Sequence, residues 1–177
     1  MHLTGKKVAL LVHNFFEQVE FTDPKKVLEE AGAEVDIVTA DGERLQGLNH
    51  VDKGDSFIAD LSVEEIAADE YDAVVIPGGV VNADHLRMSE GARDFVRQMY
   101  KAGKPVAAIC HGPWLLVSAG IADGQKLTSY HTLKDDIRNA GGNWVDEEVV
   151  VDKNLITSRT PDDLPAFNKA VMEALET

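Results

Sequence analysis

A single α/β domain with a mostly parallel central sheet is what this sequence predicts, and three observations carry the prediction. Four short runs are largely apolar: Lys7 to Val12, Glu34 to Thr39, Ala73 to Ile76 and Val106 to Ile109. Unbroken runs of that kind are buried strands, covered on both faces. Helical patterns alternate with them, stopped by Gly32, Gly103, Gly120 and Gly141-Gly142, and such alternation is the mark of a parallel sheet with helices on either side. Finally, the 177 residues contain no Pro/Ser/Gly-rich linker, so one domain spanning 1–177 is expected. A chain of this length buries about 70% of its unfolded surface and needs neither disulfides nor a structural metal.

The elements follow in order. Lys7 to Val12 is the first strand. Glu17 to Ala31 is helical in pattern, with Val19, Val27, Leu28 and Ala31 on one side, and Glu34 to Thr39 is the second strand. Gly47 and Gly54 punctuate short β-like pieces between Arg44 and Asp60, which predicts a hairpin or edge excursion. Ala73 to Ile76 ends in Pro77-Gly78-Gly79. Ser89 caps a helix running to about Ala102, and Val106 to Ile109 is the fourth core strand. A helix over 113–119, a short strand over 127–129, a helix over 133–140, a hairpin over 149–158 turning at Asp152-Lys153-Asn154, and a last helix from Pro161 or Asp162 to Leu175 complete the chain.

Composition excludes several functions. A formal net charge of -14 argues against nucleic-acid binding, which needs clustered Lys and Arg. The six histidines have no paired zinc-type spacing, so no metal is expected. The amino terminus runs directly into a strand, and neither a signal peptide nor a membrane-length apolar stretch is present. A lone cysteine cannot bridge internally, and with no leader the chain is expected in the reducing cytoplasm.

That cysteine, Cys110, stands where the fourth strand stops and Gly112-Pro113 opens a helix, a strand-to-helix elbow of the kind that presents a nucleophile. Amides at such a junction favour the thiolate; the alternative is a small buried hydrophobe. Ligands collect at the carboxyl ends of parallel strands. Three segments follow such ends: His13 to Glu17, Pro77-Gly78-Gly79 and Cys110-His111-Gly112. On one rim, the amides of Gly79 and His111 would form an oxyanion hole, unless Pro-Gly-Gly is only a tight turn. Glu17 would share a proton with the thiol and act as general acid or base, unless it is only a first-turn helix acid. Phe15, Phe16 and Trp114 either line an apolar pocket there or belong to the core. His50 and His85 read as surface residues.

Taken together, Asn14-Phe15-Phe16-Glu17-Gln18-Val19-Glu20, Val75-Ile76-Pro77-Gly78-Gly79, Lys104 to Pro113, Thr128-Ser129-Tyr130, Lys134-Asp135-Asp136-Ile137 and Thr157-Ser158-Arg159 resemble the PfpI/ThiJ superfamily of class I glutamine amidotransferase-like stress proteins and intracellular proteases. The resemblance implies a flavodoxin-like three-layer α/β sandwich, no cofactor, and a homodimer or a higher oligomer built from dimers. It makes Cys110 the nucleophile, His111 its base and Glu17 the carboxyl on the thiol, with Tyr130 and His131 in the pocket. Protease-like members complete a Cys-His-Glu triad with a glutamate shortly after Pro-Gly-Gly, contributed across a subunit contact; Asp84 fits that place only with a one-residue insertion, and is otherwise a surface acid. The implied activity is deglycase- or glyoxalase-like hydrolysis of reactive carbonyls or their protein adducts. The alternatives are a cysteine peptidase with a Cys-His-acid triad, and a non-enzymatic peroxide-responsive thiol sensor or chaperone.

Overall fold

The computed structural model describes residues 1–177. Its first half comprises β1 (Lys7–Val12), β2 (Phe16–Glu17), α1 (Gln18–Glu30), β3 (Glu34–Thr39), β4 (Arg44–Asn49), β5 (Asp52–Ile58), β6 (Leu61–Ser62) and β7 (Ala73–Ile76). Then follow α2 (Val80–Met88), α3 (Glu90–Lys101), β8 (Val106–Ile109), α4 (Pro113–Ser118), β9 (Lys126–Leu127), α5 (Lys134–Asn139), β10 (Asn143–Trp144), β11 (Val150–Asp152), β12 (Leu155–Ser158) and α6 (Leu164–Glu176).

Seven strands form the central sheet in the order β11-β12-β8-β7-β1-β3-β6. All neighbours are parallel except the hairpin partner β11. The four predicted core strands are thus adjacent, as their all-round apolar character requires. Side chains alternate between faces along each strand, which yields two cores. On one face Ala9, Leu11, Val74, Ile76 and Ala108 pack with Leu86 of α2, Val96 of α3 and Leu116 of α4. On the other, Val8, Leu10, Val75 and Ile109 pack with Phe21 of α1 and Phe167 of α6.

Local signals explain the elements. Ser89 accepts the Ala92 amide at 3.1 Å and caps α3, whose Ala92, Phe95, Val96 and Met99 are buried at helical spacing. Sequence reading missed α2 because its pattern, Val80-Val81-Asn82-Ala83-Asp84, buries Asn82 and exposes both valines. The excursion between β3 and β7 is a β4–β5 hairpin that pairs with β2 as a separate three-stranded sheet.

One expectation is corrected in phase. Helix α1 buries Glu20, Phe21, Pro24 and Leu28; of the side expected from Val19, Val27, Leu28 and Ala31, Leu28 alone is fully buried, with Val27 and Ala31 half-buried. Val19 is 40% exposed. Aromatic packing decides the rotation: Phe21 stacks on Phe16 at 4.5 Å and meets Phe57 of the hairpin at 4.8 Å.

Candidate active site

The loops after β1, β7 and β8 meet at one rim because those strands are parallel neighbours. A buried side chain joins two of them. Asn82 donates to the carbonyls of Pro77 and Gly78, both at 3.0 Å, and accepts the His13 amide at 2.7 Å.

Cys110 occupies the elbow with φ 62°, a left-handed conformation uncommon for a residue with a side chain. It is held by its own backbone, accepting from Tyr130 N at 2.8 Å and donating to Ser158 at 3.1 Å. The turn is possible because its neighbours are bare. A Cβ on Gly112 would stand 2.8 Å from the Ile76 carbonyl oxygen, and one on Gly78 would meet Glu20 Oε1 at 2.5 Å, Cys110 Cβ at 2.7 Å and the Ile109 oxygen at 2.8 Å. Gly78→Ala is therefore expected to cost about 1–3 kcal/mol, since the backbone atoms it meets cannot retreat as a flexible chain end can. At about 2–4 °C per kcal/mol for a chain of this size, thermal unfolding checks it; an unchanged midpoint would contradict the close packing.

The amides of Gly79 and His111 are both directed at the sulfur, the pair expected from sequence. His111 Nδ1 lies 3.2 Å from Sγ. Its ring is sandwiched by Tyr130, with centroids 4.8 Å apart, and the edge of Trp114 at 5.4 Å; burial lowers its pKa to about 4, so it is neutral at neutral pH and able to accept a proton.

The carboxyl beside the thiol is Glu20, where Glu17 was expected. Glu20 is fully buried, accepts the Gly78 amide at 2.9 Å and stands beside Cys110, the carboxyl and the thiol each shifting the other's titration. Its Oε2 has no further partner. Burial pushes its pKa up to about 8, so it carries a proton at neutral pH. Glu17 ends just before α1 begins, and its carboxylate turns outward, receiving the His50 amide on both oxygens at 3.2 Å. The reason is the phase of α1: the two acids are three positions apart, and only Glu20 shares the buried side with Phe21 and Pro24.

The thiol itself departs from the low pKa expected of an elbow. Burial, then the Glu20 charge, push it up, while the two amides pull it down. A proton resident on Glu20 removes that repulsion.

The remaining expected residues separate. Tyr130 lines the cleft; His131 is exposed and packs on the far side of Tyr130 at 4.4 Å. Asp84 is an exposed residue of α2 whose side chain has no hydrogen bond or ion pair within the chain, so it does not orient the His111 of its own chain. Phe16 is core, whereas Phe15 and Trp114 line the cleft. His50 forms part of the cleft wall with Leu48 and Val51 at the hairpin tip, and Thr132, Thr160, Pro161 and Asp162 complete it; no local sequence pattern points to these. The cleft encloses about 1250 Å³, room for a small molecule or a modified side chain. No three His, Cys, Asp or Glu side chains are grouped as metal ligands, and no helix is long and apolar enough to cross a membrane.

Comparison with known proteins identifies the family. The profile of the DJ-1/PfpI family matches residues 6–174. The chain belongs to the DJ-1/PfpI family. It is 43% identical over 174 residues to "Protein/nucleic acid deglycase 2" of Escherichia coli, covering 97% of this chain and 98% of that protein. It is 40% identical over 174 residues to "General stress protein 18" of Bacillus subtilis, covering 97% and 99%. Among solved structures, a two-domain Anabaena variabilis protein with DJ-1/ThiJ/PfpI-like and ferritin-like domains superimposes with a TM-score of 0.92 at 39% identity. That match covers 97% of this chain and 48% of that one, so the chain spans about half of the larger protein. The fold of this DJ-1/PfpI member is accordingly the expected flavodoxin-like sandwich.

Proposed function

We propose that this protein is a stress-response enzyme that hydrolyses reactive carbonyls or their adducts, in the manner of a deglycase, with Cys110 as nucleophile. The observation that carries the reading is the pairing of the elbow thiol with a buried carboxyl, Glu20, whose pKa of about 8 suits proton transfer at neutral pH.

With a dicarbonyl such as methylglyoxal the steps balance without a redox partner. The Cys110 sulfur adds to the aldehyde carbon as His111 Nδ1 takes the thiol proton, and the new oxyanion lies toward the Gly79 and His111 amides. Glu20 first gives its proton to that oxyanion, and the carboxylate so formed removes the hydrogen from the same carbon and returns it to the neighbouring one, which converts the hemithioacetal through an enediol into a lactoyl thioester; the proton taken up by His111 then restores Glu20. Water then displaces the sulfur, releasing lactate and restoring the thiol. An amine adduct consumes the same single water and releases lactate and the free amine. None of these steps needs an acid behind His111, whereas peptide hydrolysis depends on an oriented base, and no acid of the same chain orients His111.

The names of relatives support the same reading: a deglycase of Escherichia coli and a general stress protein of Bacillus subtilis. We place the protein in the cytoplasm, where a lone thiol stays reduced. We also propose a homodimer, or an oligomer of dimers, that covers part of the apolar rim formed by Phe15, Val19, Val51, Val80 and Val81, all exposed around the cleft.

The test is product formation. Incubation with methylglyoxal-modified Nα-acetyl-arginine amide should release lactate and the unmodified arginine in equal amounts, and casein should remain uncut. Peptide cleavage without lactate would replace this reading by the peptidase one.

A further inference from the structure

One side chain holds both glycine peptides of the rim. Asn82 is fully buried, and its three side-chain hydrogen bonds all go to backbone: it accepts the His13 amide and donates to the Pro77 and Gly78 carbonyls. Both peptide bonds are trans, so each carbonyl points away from the N–H of the same plane. The plane that begins at the Pro77 carbonyl ends in the Gly78 N–H, which meets Glu20 Oε1 at 2.9 Å. The plane that begins at the Gly78 carbonyl ends in the Gly79 N–H on the cleft side, toward Cys110. Gripping the two oxygens therefore aims the two hydrogens, one at the carboxyl and one at the thiol.

These planes need a hold from outside. Rotating the Gly78-Gly79 plane changes only ψ of one glycine and φ of the next, and glycine takes either sign of φ at no steric cost. No side chain can be added to stiffen the turn, since a Cβ on Gly79 would stand 2.7 Å from the Glu17 nitrogen and 2.9 Å from the Phe15 oxygen. The Gly78 carbonyl is instead clamped by two donors, Asn82 Nδ2 at 3.0 Å and the Glu17 amide at 3.2 Å. Donors on a carbonyl also polarise its peptide and strengthen the N–H at the other end.

We propose that Asn82 is the positioning residue of the oxyanion site, holding the Gly78 N–H on Glu20 and the Gly79 N–H toward Cys110, so that charge developing on the sulfur or on the oxyanion meets a fixed donor. This rests on Cys110 as the reacting centre of the proposed activity.

Asn154 supplies the control. Its Nδ2 likewise donates to two backbone carbonyls, those of Tyr100 at 3.0 Å and Lys104 at 2.8 Å, but at the amino end of β8, where its own carbonyl accepts the Val106 amide. Asn82→Ala and Asn154→Ala should both lower the thermal midpoint, because each leaves backbone groups without a partner. Only Asn82→Ala should change the thiol.

Alkylation by iodoacetamide, in which the Cys110 sulfur displaces iodide, reads the thiol without turnover, and the chain has a single cysteine. At neutral pH Asn82→Ala should react about tenfold more slowly than wild type, and Asn154→Ala at the wild-type rate. With methylglyoxal, Asn82→Ala should lose about tenfold or more in kcat while KM changes by less than about threefold, since the donor acts on charge that develops in the transition state. If the alanine variant does not fold, Asn82→Ser, which keeps one hydroxyl donor in the buried site, carries the same comparison with a fall of at least about threefold expected. Alkylation of the folded Asn82 variant as fast as that of Asn154→Ala, or faster, overturns the proposal and leaves Asn82 a structural staple. If wild type turns over no substrate, the proposed activity fails while the alkylation rates still decide the role of Asn82.

Discussion

Cys110→Ser should lower lactate formation by about a thousandfold or more while leaving the fold intact, because the serine hydroxyl has no means of activation here. His111 is a weak base, with its pKa lowered to about 4, and no acid of the chain stands behind it to strengthen it. Even pushed up by burial, a thiol is far more easily activated by such a base than an alcohol is. Folding is spared because the two side chains differ by one atom and both must adopt the φ of 62° that the elbow imposes. Lactate, rather than disappearance of the dicarbonyl, is the quantity to follow, since the 17 lysines and arginines consume dicarbonyl on any protein. Circular dichroism and the thermal midpoint report the fold. Lactate formation within about tenfold of wild type would remove Cys110 as the nucleophile, and with it every thiol-based mechanism.

The fold was legible because its signals are local and redundant. Lys7 to Val12 and Val106 to Ile109 are each apolar along their buried length, and only adjacent central positions in a parallel sheet bury both faces of such strands. The elbow was legible for a related reason: Cys110, Gly112 and Pro113 follow the end of an apolar run, and each answers a backbone demand. The carboxyl was misplaced by one helical turn. Val19, Val27, Leu28 and Ala31 offer one plausible apolar side for α1; the true one shares Leu28 with it but is centred on Glu20, Phe21 and Pro24. A proline within a helix and a fully buried acid both run against propensity, so that stripe became visible only once Phe16 and Phe57 had fixed the position of Phe21. The hairpin tip was out of reach for a different reason. Leu48, His50 and Val51 acquire a role only through tertiary clasps, such as Gln18 Oε1 accepting the Asp55 amide at 2.7 Å.

Glu20→Gln should separate these two acids by both activity and stability. Turnover is expected to fall by about 10²–10⁴, the usual worth of a general acid or base, and Glu17→Gln should leave far more of it with a neutral substrate. Stability gives the independent readout. The carboxyl titrates near 4.5 when unfolded and about 8 when folded, so between those limits the folded state holds a proton the unfolded state has lost. Folding is then favoured fully below 4.5, and that advantage is lost as pH rises through about 8. The span corresponds to roughly 5 kcal/mol at about 1.4 kcal/mol per tenfold, an upper bound.

His111 works in the opposite direction, from 6.5 down to about 4, and so offsets Glu20 below 6.5. An unfolded thiol begins to matter near 9.0. The clean window therefore lies between 6.5 and 8, where wild type should lose stability steadily and Glu20→Gln, which keeps an oxygen for the Gly78 amide but cannot ionise, should stay level. Thermal midpoints measured across that window decide the matter. Parallel curves for the two proteins would mean that the carboxyl ionises as readily in the folded chain as in the unfolded one, and Glu20 would then have no proton to lend at neutral pH.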